Sequence, residues 1–190
     1  VLRSAGRCPV VAGVLLDSPE SEQADRVRRV FDLGVQAVVL IVNQFADINE
    51  GNDCLKANLE RLLSATEDIP LGFYECPLPY HRELDSDLLA WIAKTGRFLF
   101  LKDTSRQPQS MLEKLNVSRN TPLRIYNARY LTLPDSLRAG GDGFSGIEGN
   151  FYPSLMAWYC RNIARHPQTA EELHRFMNSS QPVILSHYPF

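Results

Sequence analysis

The chain has 190 residues, 44% of them hydrophobic and 22% charged, which is the balance of a domain with a substantial buried core. A formal net charge of -2 offers no basic face to nucleic acid or to an anionic membrane, and neither partner is expected. The nearest approach, Arg26-Val27-Arg28-Arg29, is broken by valine and reads as the wet side of a helix.

In chain order, the apolar run at residues 9–16 reads as a buried strand, and Asp17-Ser18-Pro19 offers a cap and a first-turn proline for a helix through Leu33, stopped by Gly34. Residues 37–42 form a second strand. After a polar loop to Asn52, the stripe Leu55, Leu59, Leu62 and Leu63 marks the next helix. A third strand runs from Pro70 to Tyr74, and Asp85-Ser86-Asp87 caps a helix carrying Leu88, Leu89, Trp91 and Ile92 that ends at Gly96. The fourth strand, Arg97-Phe98-Leu99-Phe100-Leu101-Lys102, closes on a lysine. Helices at 107–115 and 133–139 precede strands at 123–127 and 143–147, and a longer helix starts near Tyr152.

The strand runs are continuously apolar, as strands covered on both faces require, so the fold class is α/β with a parallel sheet. Periodicity alone admits a doubly wound sheet or a (β/α)8 TIM barrel. No glycine-rich phosphate loop follows the first strand, and Gly140-Gly141-Asp142-Gly143 precedes a strand, so the barrel is favoured. About six βα units are visible. The chain is read as one partial barrel domain over residues 1–190 that lacks the N-terminal two units, with a longer native polypeptide expected.

Tyr74 and Lys102 each end a strand. Strict alternation puts Pro70, Gly72 and Tyr74 on one face, and Phe98, Phe100 and Lys102 on one face of the next strand. Parallel neighbours would then hold a phenol and an amine side by side, about 4.8 Å apart at the backbone, at the same end of the sheet. Burial among Phe98 and Phe100 would favour the neutral amine, the form that can attack a ketone. On composition alone, Lys102 reads equally as a strand-end lysine reaching solvent, and Tyr74 as an interior aromatic with a satisfied hydroxyl.

At Tyr74-Glu75-Cys76-Pro77 and Leu101-Lys102-Asp103-Thr104 the sequence resembles the dihydrodipicolinate synthase and N-acetylneuraminate lyase family of class I aldolases. Two further stretches hold that pattern in collinear order: residues 9–14, similar to the family's third strand, and residues 140–153, similar to its eighth strand and following turn, with Gly140, Gly143, Asn150 and Pro153 in place. The resemblance implies a Schiff-base lysine at Lys102 and a proton-shuttling tyrosine at Tyr74, acting on pyruvate or a related 2-oxo acid in carbon-carbon bond formation or cleavage. It implies no cofactor, and a homo-oligomer of four or two copies. Ser145, which alternation sets on an inner face with Gly143 and Ile147, stands where the family contacts the keto acid; a small residue filling a crowded barrel end is the other reading. Asn127 could hydrogen-bond a substrate hydroxyl or form a turn. His81 and Arg82 could meet a distal carboxylate or be ordinary loop charges.

The departures point away from lysine biosynthesis. Pro79 stands where an arginine follows the tyrosine motif in the synthases, and no tyrosine lies near Asn43-Gln44-Phe45, where the family's relay tyrosine would be. The loop that holds the keto-acid carboxylate would precede Val1. These departures motivate the alternative of a degenerate barrel that binds a keto acid without catalysis. Cys8, Cys54, Cys76 and Cys160 have no CxxC pair and no histidine at zinc spacing, so no metal site and a reduced cytoplasm are expected. No apolar stretch reaches the roughly 18 residues needed to cross a bilayer, and no leader is visible. His166, His174 and His187 show no ligand spacing.

Overall fold

Short apolar runs that can be covered on both faces become the strands, and the leucine stripes between them become the helices that cover them. The computed structural model describes residues 1–105 and 107–186, so His187 lies outside the described residues. The chain order is β1 (Val11–Gly13), α1 (Glu20–Phe31), β2 (Ala37–Ile41), α2 (Asn52–Ala65), β3 (Leu71–Tyr74), α3 (Ser86–Lys94), β4 (Phe98–Asp103), α4 (Pro108–Ser118) and β5 (Arg124–Asn127). There follow α5 (Leu133–Arg138), β6 (Gly143–Phe144), α6 (Glu148–Phe151), α7 (Pro153–Asn162) and α8 (Pro167–Ser186).

The sheet has six strands in the order β1-β2-β3-β4-β5-β6, with β1–β2, β2–β3, β3–β4 and β5–β6 paired in parallel. A doubly wound sheet reverses its strand order at a switch point, whereas a barrel lays each strand beside its predecessor. The unbroken order therefore identifies a partial (β/α)8 barrel. By contacts the chain forms two compact units, Val1–Ile125 and the residues from Tyr126 onward.

In the first unit Leu55, Leu59 and Leu62 are buried along α2, Leu88, Leu89 and Ile92 along α3, and Val38, Leu40, Leu71, Phe73 and Leu101 in the strands between. Asp85 caps α3 by accepting a hydrogen bond from Leu88 N at 2.9 Å. The cap expected at Asp17-Ser18 does not form: α1 begins at Glu20 behind Pro19, no side chain caps it, and Asp17 pairs with Arg26 instead. At the N-terminal end of β4, the Arg97 guanidinium donates to the carbonyls of Ile69 at 2.9 Å, Leu63 at 3.3 Å and Thr66 at 3.3 Å. One cation thus gathers the C-terminus of α2 and the approach to β3.

Strict alternation fails in β4. The register pairs Leu71 with Phe98 but Gly72 with Phe100, so Leu99 is an extra residue, 40% exposed. Phe98 is thereby turned to the helix-covered face, where its ring stacks on Phe73 at 4.4 Å. It does not share a face with Lys102, which corrects the reading by alternation. Phe100 does, and its ring lies directly over Gly72, where a Cβ would come within 2.3 Å of Phe100 Cζ. Only a residue without a side chain lets that ring cross.

The second unit is built around buried Tyr130, Leu133, Met156, Tyr159, Ala170 and Met177. His174 of α8 packs its ring 4.6 Å from that of Tyr130. The strand expected over residues 143–147 is cut to Gly143–Phe144. The Phe144 ring folds back over Gly146, where a Cβ would lie 2.2 Å from it, and the chain turns into α6. Ser145 therefore follows the strand instead of alternating within it, and Ile147 stands at the N-cap of α6. None of the described helices is long and apolar enough to cross a membrane.

Candidate active site

Beyond the bulge, β3 and β4 run in register to their ends, so Tyr74 and Lys102 are direct Cα partners. Both are half-buried. The Lys102 Nζ sits over the Tyr74 ring, 4.1 Å from its centroid, a cation–π contact with the ring face. Burial holds the Lys102 ammonium below the usual lysine range, an effect that the nearby Cys76 partly opposes. Phe100 lies on the same face two residues back, and Phe98 does not. Burial also pushes the Tyr74 phenol up to about 12, helped by the neighbouring Cys76 side chain through its hydrogen bond and the negative charge it carries when ionised. At neutral pH the pair therefore has an amine that loses its proton more readily than a free lysine, beside a phenol that keeps its own. Cys76 joins this pair although sequence reading passed over it; the signal available was its position two residues after Tyr74, on the same side by alternation.

The residue after each partner points the other way, toward α4. Glu75 and Asp103 are fully buried, and Lys114 of α4, 1% exposed, reaches both: Nζ lies 2.6 Å from Glu75 Oε1 and 2.8 Å from Asp103 Oδ1. Its third hydrogen goes to Ser105 Oγ at 3.1 Å, and Glu83 Oε2 stands at 3.6 Å. Glu75 further accepts from Leu84 N at 2.8 Å and Thr104 N at 3.2 Å, while the Thr104 hydroxyl donates to Glu75 O at 2.6 Å. Burial drives the Glu75 carboxyl up to about 7, against the pull of Lys114. The adjacent carboxylates keep the Lys114 ammonium charged in spite of its burial. This network was also missed from sequence. Its trace there is an acidic residue directly after each strand-end partner.

The loop after Glu75 is stitched down. Asn43 Nδ2 faces the carbonyls of Cys76 at 3.0 Å, Leu78 at 2.9 Å and Tyr80 at 2.6 Å, sharing two hydrogens among three acceptors. The Tyr80 hydroxyl lies 3.0 Å from Asn43 O and also against Ala46 O. A tyrosine hydroxyl thus reaches the 43–46 turn from another loop, which sequence proximity did not reveal. Arg82 donates to Asp47 O at 3.0 Å and Glu50 O at 2.6 Å, and His81 Nε2 lies 2.8 Å from Thr104 Oγ1. Neither is a loose surface charge.

In the second unit, Asn127 is 2% exposed, and its amide is used internally. Nδ2 donates to Thr132 Oγ1 at 3.0 Å and Ser136 Oγ at 3.1 Å, while Oδ1 accepts from Arg129 N at 2.7 Å. Ser145 is half-buried, and its N–H donates to Asn127 O at 2.8 Å. Among the described residues no cluster of three or more His, Cys, Asp or Glu side chains could hold a metal ion.

No family model and no curated protein matches the sequence. Solved structures do match. The chain aligns with dihydrodipicolinate synthase from Bacteroides thetaiotaomicron at a TM-score of 0.80 and 19% identity, over 95% of this chain and 60% of that one. Dihydrodipicolinate synthase from Acinetobacter baumannii, solved in complex with pyruvate, aligns at 0.77 and 22% identity, over 92% and 59%. The 2-keto 3-deoxygluconate aldolase from Picrophilus torridus aligns at 0.79 and 18% identity, over 100% of this chain and 67% of that one. The chain spans 59% of the length of the synthase from Acinetobacter baumannii. By fold, the chain stands with the dihydrodipicolinate synthase and keto-deoxygluconate aldolase structures.

Proposed function

We propose that this chain carries the imine-forming half of a class I aldolase or lyase acting on pyruvate or a related 2-oxo acid. The observation that carries the reading is the Lys102 amine, with its proton loosened by burial, held on the Tyr74 ring at the ends of adjacent parallel strands. A neutral amine adds to the ketone carbon to give a carbinolamine; loss of water leaves an iminium, which draws electrons from the neighbouring carbon and lets a carbon-carbon bond form or break. Water leaves only if the carbinolamine oxygen is protonated, and Tyr74 is the adjacent group that keeps a proton at neutral pH. Ser145 is proposed as a substrate contact, tested by a rise in KM on Ser145→Ala with kcat preserved. Asn127, whose amide is spent on Thr132, Ser136 and Arg129, is proposed to serve the substrate only through its backbone carbonyl on the Ser145 N–H, so Asn127→Ala should raise KM together with a loss of thermal stability.

Pyruvate with borohydride should leave an irreversible mass on the peptide containing Lys102, and Lys102→Arg should remove it. No adduct across a panel of 2-oxo acids would sink the proposal. An adduct without turnover of any substrate would favour the binding-only barrel.

A further inference from the structure

We propose that Lys114 is a positioning residue for the Tyr74–Lys102 pair: it binds the carboxylate that follows each partner, and so locks the two strand ends in the register that lays the amine on the ring. The inference rests on the reading of Lys102 as the functional amine.

An ammonium has three hydrogens, and Lys114 spends them on Glu75, Asp103 and Ser105. Glu75 belongs to the β3 side and Asp103 to β4, so the one cation spans the same inter-strand seam as the pair, on its opposite face. Successive side chains of a strand point to opposite faces, so a shift of Glu75 or Asp103 is transmitted through one peptide unit to Tyr74 or Lys102. The seam is otherwise held here by Glu75 N donating to Lys102 O at 3.3 Å, by the Thr104 hydroxyl on Glu75 O and by Thr104 N on Glu75 Oε2 at 3.2 Å. Glu83, which accepts from Ser110 Oγ at 2.7 Å and faces His81 Nδ1 at 3.8 Å, closes the outer side. A salt bridge kept only for stability has no need to join the two residues that flank the amine and the phenol. A displacement near 1 Å at such a pair is enough to cost about 100-fold in reactivity.

The test reads Lys102 itself, with no substrate. Competitive acetylation with acetic anhydride across pH, followed on the Lys102 peptide by mass spectrometry, gives the midpoint of that amine. In Lys114→Met the amine should slip from its seat, and its midpoint should rise by about half a unit or more toward that of free lysine. Asp103→Asn, which keeps the Lys114–Glu75 pair, should move it in the same direction by less, and it carries the test if Lys114→Met does not fold. Leu55→Ala, a core truncation in α2, should lower thermal stability and leave the midpoint in place. Borohydride trapping at saturating pyruvate should slow about ten-fold or more in Lys114→Met, with the half-saturating concentration changed less than about three-fold. Midpoints equal to wild type in the foldable variants, or an equal shift in Leu55→Ala, would overturn the assignment. If the wild-type chain forms no adduct with pyruvate, the imine reading fails, while the labelling midpoints still decide the role of Lys114.

Discussion

Gly72→Ala is a small change at a crowded place. The new methyl would lie 2.3 Å from Phe100 Cζ, 2.5 Å from Cε1 and 2.7 Å from Cε2. Carbon atoms rest about 3.5–4.0 Å apart, so the ring must retreat by more than about 1 Å, and turning it about its own axis does not help because the methyl meets its whole outer end. Overpacking of this kind costs about 1–3 kcal/mol, or roughly 2–12 °C for a chain of this size. Urea unfolding of the whole chain measures it. The sign of the effect should depend on Phe100. In a Phe100→Ala background the clash is gone, and alanine restrains the unfolded chain more than glycine does, so Gly72→Ala should become neutral or stabilise by about 0.4–1 kcal/mol. Because Gly72 and Phe100 lie two residues before Tyr74 and Lys102 on the same face, the single variant should also slow borohydride trapping at Lys102. A penalty of the same size in both backgrounds would refute the packing argument.

Tyr74→Phe should slow turnover by about 100-fold or more while still yielding some Lys102 adduct, read by steady-state kinetics beside mass spectrometry. The Glu75 carboxyl is raised from 4.5 to about 7 in the fold, so the folded chain binds the extra proton in that interval and the unfolded chain does not. Its contribution to stability is therefore full below pH 4.5 and is lost as pH rises through about 7, and Glu75→Gln should flatten that slope in urea melts between those limits. Asn43→Ala removes the amide shared by three carbonyls and should cost about 1–3 kcal/mol, with faster proteolytic nicking in residues 76–80 as the local readout. Equal nicking rates would count against the stitch.

The order of strands and helices was legible because apolar runs, leucine stripes and glycine stops are local signals, and Asp85 caps α3 as its position suggests. What escaped was non-local. An extra residue in β4 is visible only against its partner strand, so counting by twos carried Phe98 to the wrong face. The two-residue β6 ends where a phenylalanine ring folds onto Gly146, a contact that alternation cannot foresee, and Ser145 lost its expected place on a strand as a result. The juxtaposition of Tyr74 and Lys102 was legible because each ends an apolar run and adjacent parallel strands bring such ends together. Lys114 was not, since a lysine in an ordinary helical pattern gives no sign that it is 1% exposed with carboxylates from two strands around it.

The guanidinium of Arg97 gathers carbonyls at the foot of the β3–β4 seam, and arginine stays charged at any pH a protein survives. The top of the same seam is bound through a carboxyl that titrates near neutrality. Protonation of Glu75 therefore acts on this strand pair at its upper end, while the Arg97 contacts hold its foot. Any opening would splay the strands apart where the amine and the phenol meet, and leave the base of the seam still.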